Sequence, residues 1–423
     1  MLNRLRSAPF FQLPRNTRVT ILAQPLWAIP AGLVMPFASL YMMRLSLSSQ
    51  QIGLISSLST LATAIAALFA GWLIDTMGRK RALLCFDTLT WIIPYFFWAT
   101  ASSFEGFLLA GLLHGPVIIN SIVYECYHVE DVPLPMRMTS LRYQTIVSSL
   151  YGFMPLGMGL LINRYSFIPA MRGCYWLGLV CSLLFVGTKW LFLRDTEIGL
   201  AKRRQSAGGG FSLADMLRRN VDAIRYVLRN RDLAILYLIE ILMLFASAVV
   251  ALFLMPSLSA LLRVSDAIIS LHPILTTSVS FLTTLGIMPR IPVRRHAAML
   301  GGALVALCCG TFCLAIARFG GMYPLLALQV LCGGFASSCT AVLLQARIQN
   351  SLTDDMRSNV MSAFQLTSML IRLPTGVLGG LLYASSPQAP FALSCVVYAC
   401  AAALYWRFAR RGAGVHVDAM LPL

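Results

Sequence analysis

The chain is poor in charge, and poorest in acid. Of 423 residues only 12% are Asp, Glu, Lys or Arg, and only 16 are acidic. A water-facing surface needs more charge than that, so a soluble domain is excluded. Eleven cysteines are present, but none form a CxxC pair and most lie inside apolar runs. They read as small core residues, which excludes a disulfide framework or a thiolate metal site. The chain also lacks a nucleotide-binding loop, a nucleophile with its base, and paired metal ligands. An ATP-driven pump or a membrane enzyme therefore has no support, and no cofactor or metal is expected.

What is present instead is apolar. Hydrophobic residues make up 58% of the chain, mean hydropathy is +0.75, and the chain reads as a polytopic membrane protein. Runs of about 20 residues, enough to cross a bilayer, recur near 18–43, 51–74, 82–102, 106–128, 141–163 and 170–193. A second set follows near 233–256, 266–288, 297–317, 323–345, 359–383 and 389–409. This predicts twelve helices in two sixes. The formal charge of +17 suggests nucleic acid at first, but the cations sit in short segments between apolar runs, as the positive-inside rule requires. Only Arg44, Arg164, Arg172, Arg263 and Arg318 fall in the segments assigned to the outside. Both termini are thus expected in the cytoplasm. The first run is too long for a signal-peptide core and lacks an A-x-A cleavage site, so it is expected to be a retained span.

The most informative stretch is Gly71-Trp72-Leu73-Ile74-Asp75-Thr76-Met77-Gly78-Arg79-Lys80-Arg81. Gly71 allows a helix end to approach a neighbour, Asp75 can face a positive helix N-terminus, and Gly78 permits a tight turn. Arg79, Lys80 and Arg81 hold the loop at the cytoplasmic face. The stretch resembles the signature between the second and third helices of the major facilitator superfamily. It keeps the family's Gly, Leu, Asp, Gly, Arg and Lys, with Thr76 where an Arg is usual. A degraded copy lies at Gly286-Ile287-Met288-Pro289-Arg290-Ile291-Pro292-Val293-Arg294-Arg295, where Arg290 and Val293 replace the acid and the second glycine. Pro135-Met136-Arg137 is answered by Asp355-Met356-Arg357, and Pro155 by Pro374, at nearly the same spacing. Such repetition argues for duplicated bundles.

The resemblance implies an all-α membrane fold of twelve transmembrane helices in two pseudo-symmetric six-helix bundles. The expected divisions are a first bundle over 1–193, a cytoplasmic linker over 194–232, and a second bundle over 233–423. In the linker, Leu213, Met216, Leu217, Val221, Ile224, Val227 and Leu228 share one face of a helix, with Arg218, Arg219, Arg225 and Arg229 outward. Ser212 with Asp215 reads as a capping box and Phe211 with Met216 as a staple. The helix is read as lying on the inner, anionic leaflet, with a solvated linker as the alternative.

Ionisable residues inside spans are functional candidates, because a charge there is costly. Arg372 lies about 13 residues, or roughly 20 Å, into the eleventh helix, on a stripe with Gln365, Ser368, Thr375, Gly376 and Gly379. It reads either as a cation facing an anionic substrate group or as half of a structural ion pair. Glu240 in the seventh helix, with Ser247 two turns on, reads as a carrier of a coupling proton. His114, Ser121, Glu125 and His128 have spacings that place them on one face of the fourth helix. His114 is the candidate proton or substrate ligand there, with structural pairing to basic loops open for Glu125 and His128. Asp87 is expected to pair with the signature cations, and Glu130 and Asp131 with Arg137 or Arg142. The superfamily's path is lined by helices one, four, seven and ten, which brings in Gln24, Trp27, Gln329 and Thr340. Pro25, Pro30 and Pro36 are expected to kink the first helix.

Function follows from the resemblance as secondary transport by alternating access, usually proton-powered. Gly152, Pro155, Gly157 and Gly159 give only part of the drug exporters' helix-five pattern. Proton-coupled export of a small amphipathic or anionic compound is preferred. An uptake permease for a sugar, peptide or organic acid stays open, as does a scaffold or sensor without turnover. The expected partners are the substrate, protons and the lipid bilayer, with no nucleic acid. The chain is expected to act as a monomer in a bacterial inner membrane.

Overall fold

The computed structural model describes residues 9–206, 212–262, 265–317 and 323–412, nearly all of them helical. Among these residues twelve helices are long and apolar enough to span a bilayer. They are α1 (Arg15–Arg44), α2 (Ser49–Met77), α3 (Arg79–Thr100), α4 (Phe104–Val129), α5 (Leu134–Tyr165) and α6 (Phe167–Phe192), then α7 (Arg231–Leu261), α8 (Asp266–Arg290), α9 (His296–Ile316), α10 (Tyr323–Asn350), α11 (Asn359–Ser385) and α12 (Ala389–Arg410). Two further helices, Glu197–Ser206 and Leu213–Arg229, lie between α6 and α7. Many large apolar side chains point outward, among them Leu22, Ile65, Leu160, Trp190 and Leu331. In a chain of this composition such side chains suit contact with lipid.

Two compact units result. One comprises 1–47 and 58–213, the other 48–57 and 214–423. In the first, α6 packs on α1 and α3, and α1 on α5. Its aromatic centre joins Tyr41, Tyr95, Trp98 and Tyr175 with ring centroids 5.4–6.3 Å apart. A Cβ on Gly178 would come within 2.5 Å of the Tyr95 ring, so the glycine is what lets that ring lie against α6. In the second unit α9 packs on α10 and α12, and α7 on α11 and α12. The first turns of α2 also belong to this unit. Ser49 Oγ donates to Gly380 O at 2.9 Å, and Val377 N–H donates to Ser57 Oγ at 3.1 Å. A Cβ on Gly376 would lie 2.4 Å from Gly53 O.

Prolines act more locally than their number in α1 predicts. That helix runs unbroken through Pro25 and Pro30 and tightens into a single 3₁₀ turn only at Met35–Phe37, around Pro36. In α3, Pro94 follows a π turn at Thr88–Ile92. Pro94 has no N–H for the Thr90 carbonyl and its ring crowds that oxygen, so the backbone widens there. In α4 the helix is interrupted at Gly115–Pro116, where a Cβ on Gly115 would meet Ala62 Cβ at 2.5 Å. The break sets His114 apart from Ser121, Glu125 and His128, which stay on one uninterrupted segment, Val117–Val129; along that segment His128 is buried while Ser121 and Glu125 are exposed.

The Leu213–Arg229 helix has the expected face, divided in use. Ala223 and Val227 are buried in the apolar core of the second unit, whereas Leu217, Val221 and Leu228 are exposed. The expected staple and capping box fall on Phe211 and the Asp215 side chain, which lie outside the described residues, as do Gly208–Gly210 and the Arg357 side chain.

Candidate functional site

The signature loop is the most connected polar site in the first unit. Gly78 adopts φ 85°, ψ 160°, a conformation that costs a glycine little, and turns the chain from α2 into α3. This turn drops Arg79 inward, leaving its side chain 2% exposed. Its guanidinium contacts Asp75 at 2.7 Å and Glu130 at 2.9 Å. One rigid fork thus serves two carboxylates, a geometry available to arginine and not to lysine.

Asp75 therefore does not face a helix N-terminus, as the sequence reading expected. That position is taken by Asp195, whose Oδ1 accepts the Lys80 N–H at 2.8 Å. A carboxylate there satisfies an N-terminal donor of α3 and meets the positive end of its dipole. Thr196, next in the chain, donates to Glu130 and accepts the Gly199 N–H at 2.9 Å. Asn16 completes the ring: its Nδ2 donates to Asp131 at 2.7 Å and its Oδ1 accepts the Arg194 N–H at 3.0 Å. Thr76, at the family's arginine position, bonds its own helix, donating to Trp72 O at 2.8 Å.

Several expected pairings are replaced. Glu130 and Asp131 do not pair with Arg137 or Arg142; Arg137 instead donates to the Val132 and Val129 carbonyls. Burial pushes the Glu130 carboxyl up, but the hydrogen bonds from Arg79 and Thr196 outweigh it and hold the group below its ordinary value. Asp131 moves the other way: burial, with Glu130 and Glu197 nearby, raises it despite the Asn16 bond. Asp87 pairs with Lys189 of α6 at 2.7 Å, not with the signature cations. Both side chains are 2% exposed, and the ammonium lies 3.5 Å from the Phe185 ring centroid. Gly71 makes no close approach, since a Cβ there would meet nothing within 4 Å. In the second copy, Arg290 folds back to the Gly286 carbonyl of its own helix.

The residues within the spans form separate polar islands. In the first unit His114 Nδ1 lies 2.7 Å from the Thr90 carbonyl freed by Pro94. A carbonyl can only accept, so Nδ1 carries the hydrogen and Nε2 keeps its lone pair in neutral His114. Trp91 and Trp98 flank the ring at centroid distances of 4.7 and 5.2 Å. Asn120 Nδ2 donates to Thr90 Oγ1 at 2.8 Å. Gln24 is buried in α1, where Trp27 stacks on Tyr151 at 5.9 Å. His128 is a structural link between helices, its nitrogens 2.8 Å from Ser140 Oγ and 3.4 Å from Thr20 Oγ1.

In the second unit Glu240 is 9% exposed and accepts from Gln345 Nε2 at 2.9 Å. Among the described residues it has no ion pair with Arg372, which is exposed and unpaired. Gln329 is buried against His272 Nε2 at 2.6 Å. His272 has no signal in the sequence beyond being a histidine in a span, and its Nδ1 is buried with no hydrogen-bond partner among the described residues. Among the described residues no three or more His, Cys, Asp or Glu gather closely enough to hold a metal.

Comparison with known proteins gives these islands a context. The family model described as Major Facilitator Superfamily matches residues 22–373. The multidrug resistance protein MdtG of Salmonella choleraesuis (strain SC-B67) is 30% identical over 198 residues, 45% of this chain and 47% of that protein. The chain thus matches about half the length of this curated relative. The nucleoside transporter NupG superposes with a TM-score of 0.68 at 16% identity, covering 94% of this chain and 99% of that one. A D-xylose–proton symporter superposes with a TM-score of 0.68 at 16% identity, covering 93% and 97%. At such identities the two structures speak to the fold. With twelve spanning helices, the signature turn at Gly78 and a family match over most of its length, this chain belongs to the Major Facilitator Superfamily and is a multi-pass membrane transporter, not an enzyme.

Proposed function

We propose that the protein exports a small amphipathic or anionic compound by alternating access, drawing on the proton gradient. The observation that carries this reading is Glu240: a carboxylate inside a span, 9% exposed, whose hydrogen-bond partner is the neutral amide of Gln345 and not a cation. A group so placed can take up and release a proton without breaking an ion pair. Arg372, exposed and without an ion pair among the described residues, supplies the cation for an anionic substrate group. In this reading His114 Nε2 and Gln24 in the first unit, and Gln329 in the second, are further polar groups assigned to the substrate or the proton. The 198-residue likeness to MdtG favours export over uptake.

In this reading Arg79 and its acidic partners, with Gly78 and Lys80, form a latch whose strength affects the exchange between transporter conformations. The loop faces the cytoplasm, both termini lie on that side, the bilayer is a bacterial inner membrane, and the working unit is a monomer. The excess of arginine in the segments on that side supports this orientation.

The test is retention of fluorescent amphipathic anions and cations in cells making wild type, Glu240→Gln or Arg372→Ala at matched membrane levels. Export predicts lower retention in wild type, abolished by a proton ionophore and by Glu240→Gln. Arg372→Ala should lose the anions first. Higher retention in wild type than in empty cells would instead indicate uptake.

A further inference from the structure

A cavity of about 720 Å³ opens between the Leu213–Arg229 helix, α7, α11 and α12, all in the second unit. Arg231, the first residue of α7, and Arg407, near the end of α12, line it. Both are exposed and make no ion pair among the described residues. Most of the remaining lining is apolar, including Val227, Ile241 and Phe408. Ile241 is ten residues beyond Arg231 on α7, about 15 Å along the axis at 1.5 Å per residue. The cavity therefore has two cations at one end and an apolar slot long enough for a hydrocarbon chain.

Its surroundings identify the source of such a ligand. Leu228 lines the cavity and belongs to the exposed row Leu217, Val221 and Leu228. That row is bordered by the exposed Arg218, Arg225 and Arg229, of which Arg225 pairs with Asp222 at 3.2 Å. An apolar strip edged by arginine is the pattern of a helix lying on an anionic leaflet. The slot thus opens beside a surface that attracts acidic lipid.

We propose that this cavity holds one anionic phospholipid, its phosphate between Arg231 and Arg407 and an acyl chain along the slot towards Ile241. The lipid bridges the Leu213–Arg229 helix to α7 and α12, and its binding is independent of the direction of transport. Arginine suits the phosphate because its planar fork offers two parallel donors to the oxygens.

The full chain would be reconstituted with equal parts phosphatidylglycerol and phosphatidylcholine, extracted gently, and its retained lipid counted by native mass spectrometry. Wild type should keep phosphatidylglycerol over phosphatidylcholine. The double variant Arg231→Gln/Arg407→Gln should lose that retention about tenfold or more, as expected for charge-assisted bonds to phosphate. Arg218→Gln/Arg229→Gln, outside the cavity, should retain it. Leu238→Trp fills the slot from an exposed lining position and should expel the lipid with both arginines intact. Thermal unfolding checks that each variant is folded. The proposal is overturned by wild type without a preference, by either cavity variant retaining lipid at the wild-type level, or by equal loss in the outer control. It is also overturned if inorganic phosphate alone displaces the lipid, since the site would then read a free anion.

Discussion

Arg79 and Glu130 meet at 2.9 Å, and through that contact one buried guanidinium ties the start of α3 to the end of α4. Asp75 at the end of α2 binds the same group at 2.7 Å, so three helix ends share a single cation. Thr196 holds the other Glu130 oxygen, extending the link to the chain beyond α6.

Removing this cation strands two acids, one of them 11% exposed. Arg79→Ala should cost about 3–5 kcal/mol, the usual consequence of breaking a buried pair from one side. Arg79→Lys keeps the charge but cannot serve both carboxylates with a planar fork, and should fall between alanine and wild type. Thermal unfolding in detergent, with transport at matched expression, measures both.

The two acids of this cluster should respond oppositely to pH. Glu130 is held below its ordinary value of 4.5, so its contribution is fully present above that value and is lost as pH falls through the lower, folded value. Asp131 is held above its ordinary 3.8, so its ionised form costs stability at neutral pH and the cost disappears as pH falls through the raised value. Asp131→Asn should therefore stabilise the protein at pH 7 with a gain that fades in acid. Glu130→Gln should destabilise at pH 7 and show a flatter acid limb. Unfolding temperature against pH for the three proteins checks this.

Glycine substitutions should separate by local space and backbone. Gly71→Ala meets nothing within 4 Å and should be neutral or stabilising by up to about 1 kcal/mol. Gly199→Ala would place a Cβ 2.7 Å from Arg79 Cγ, and Gly78→Ala would have to adopt φ 85°. Both should destabilise by at least about 1 kcal/mol. Equal unfolding temperatures for all three would contradict the assigned geometry.

The Lys189–Asp87 pair invites a double-mutant cycle. Lys189→Met leaves a carboxylate 2% exposed with no counter-charge, at a cost of about 3–5 kcal/mol. Adding Asp87→Leu should recover much of that loss, because an apolar pair of similar volume suits the interior. Additive losses in the unfolding series would mean that the two side chains do not act as a pair.

How much of this was legible depended on whether a feature is local. Twelve runs of apolar residues and the crowding of arginines between them follow from bilayer thickness and charge placement, so the spans could be read directly. The turn at Gly78 was equally plain, because the requirement is carried by one residue. Partners were not legible. Asp195 reaches Lys80 from 115 positions away, and Lys189 reaches Asp87 from 102; hydrophobic periodicity says nothing about which charges meet. The break at Gly115–Pro116 separates His114 from the segment that carries Ser121, Glu125 and His128, which a reading of α4 as one unbroken helix does not foresee. His272 stood alone in its run, and its bond to Gln329 exists only once α8 and α10 pack together.

Proton movement in inside-out vesicles tests the transport account most directly. A pH-sensitive dye would be followed as amphipathic drugs and anionic metabolites are added to vesicles carrying wild type, Glu240→Gln or Arg372→Ala. Proton-coupled export predicts dissipation of the gradient on adding substrate, absent in Glu240→Gln and weakened for anions in Arg372→Ala. An undiminished response in Glu240→Gln would contradict the role given to that carboxylate, and no response in wild type to any compound would contradict proton-coupled export itself.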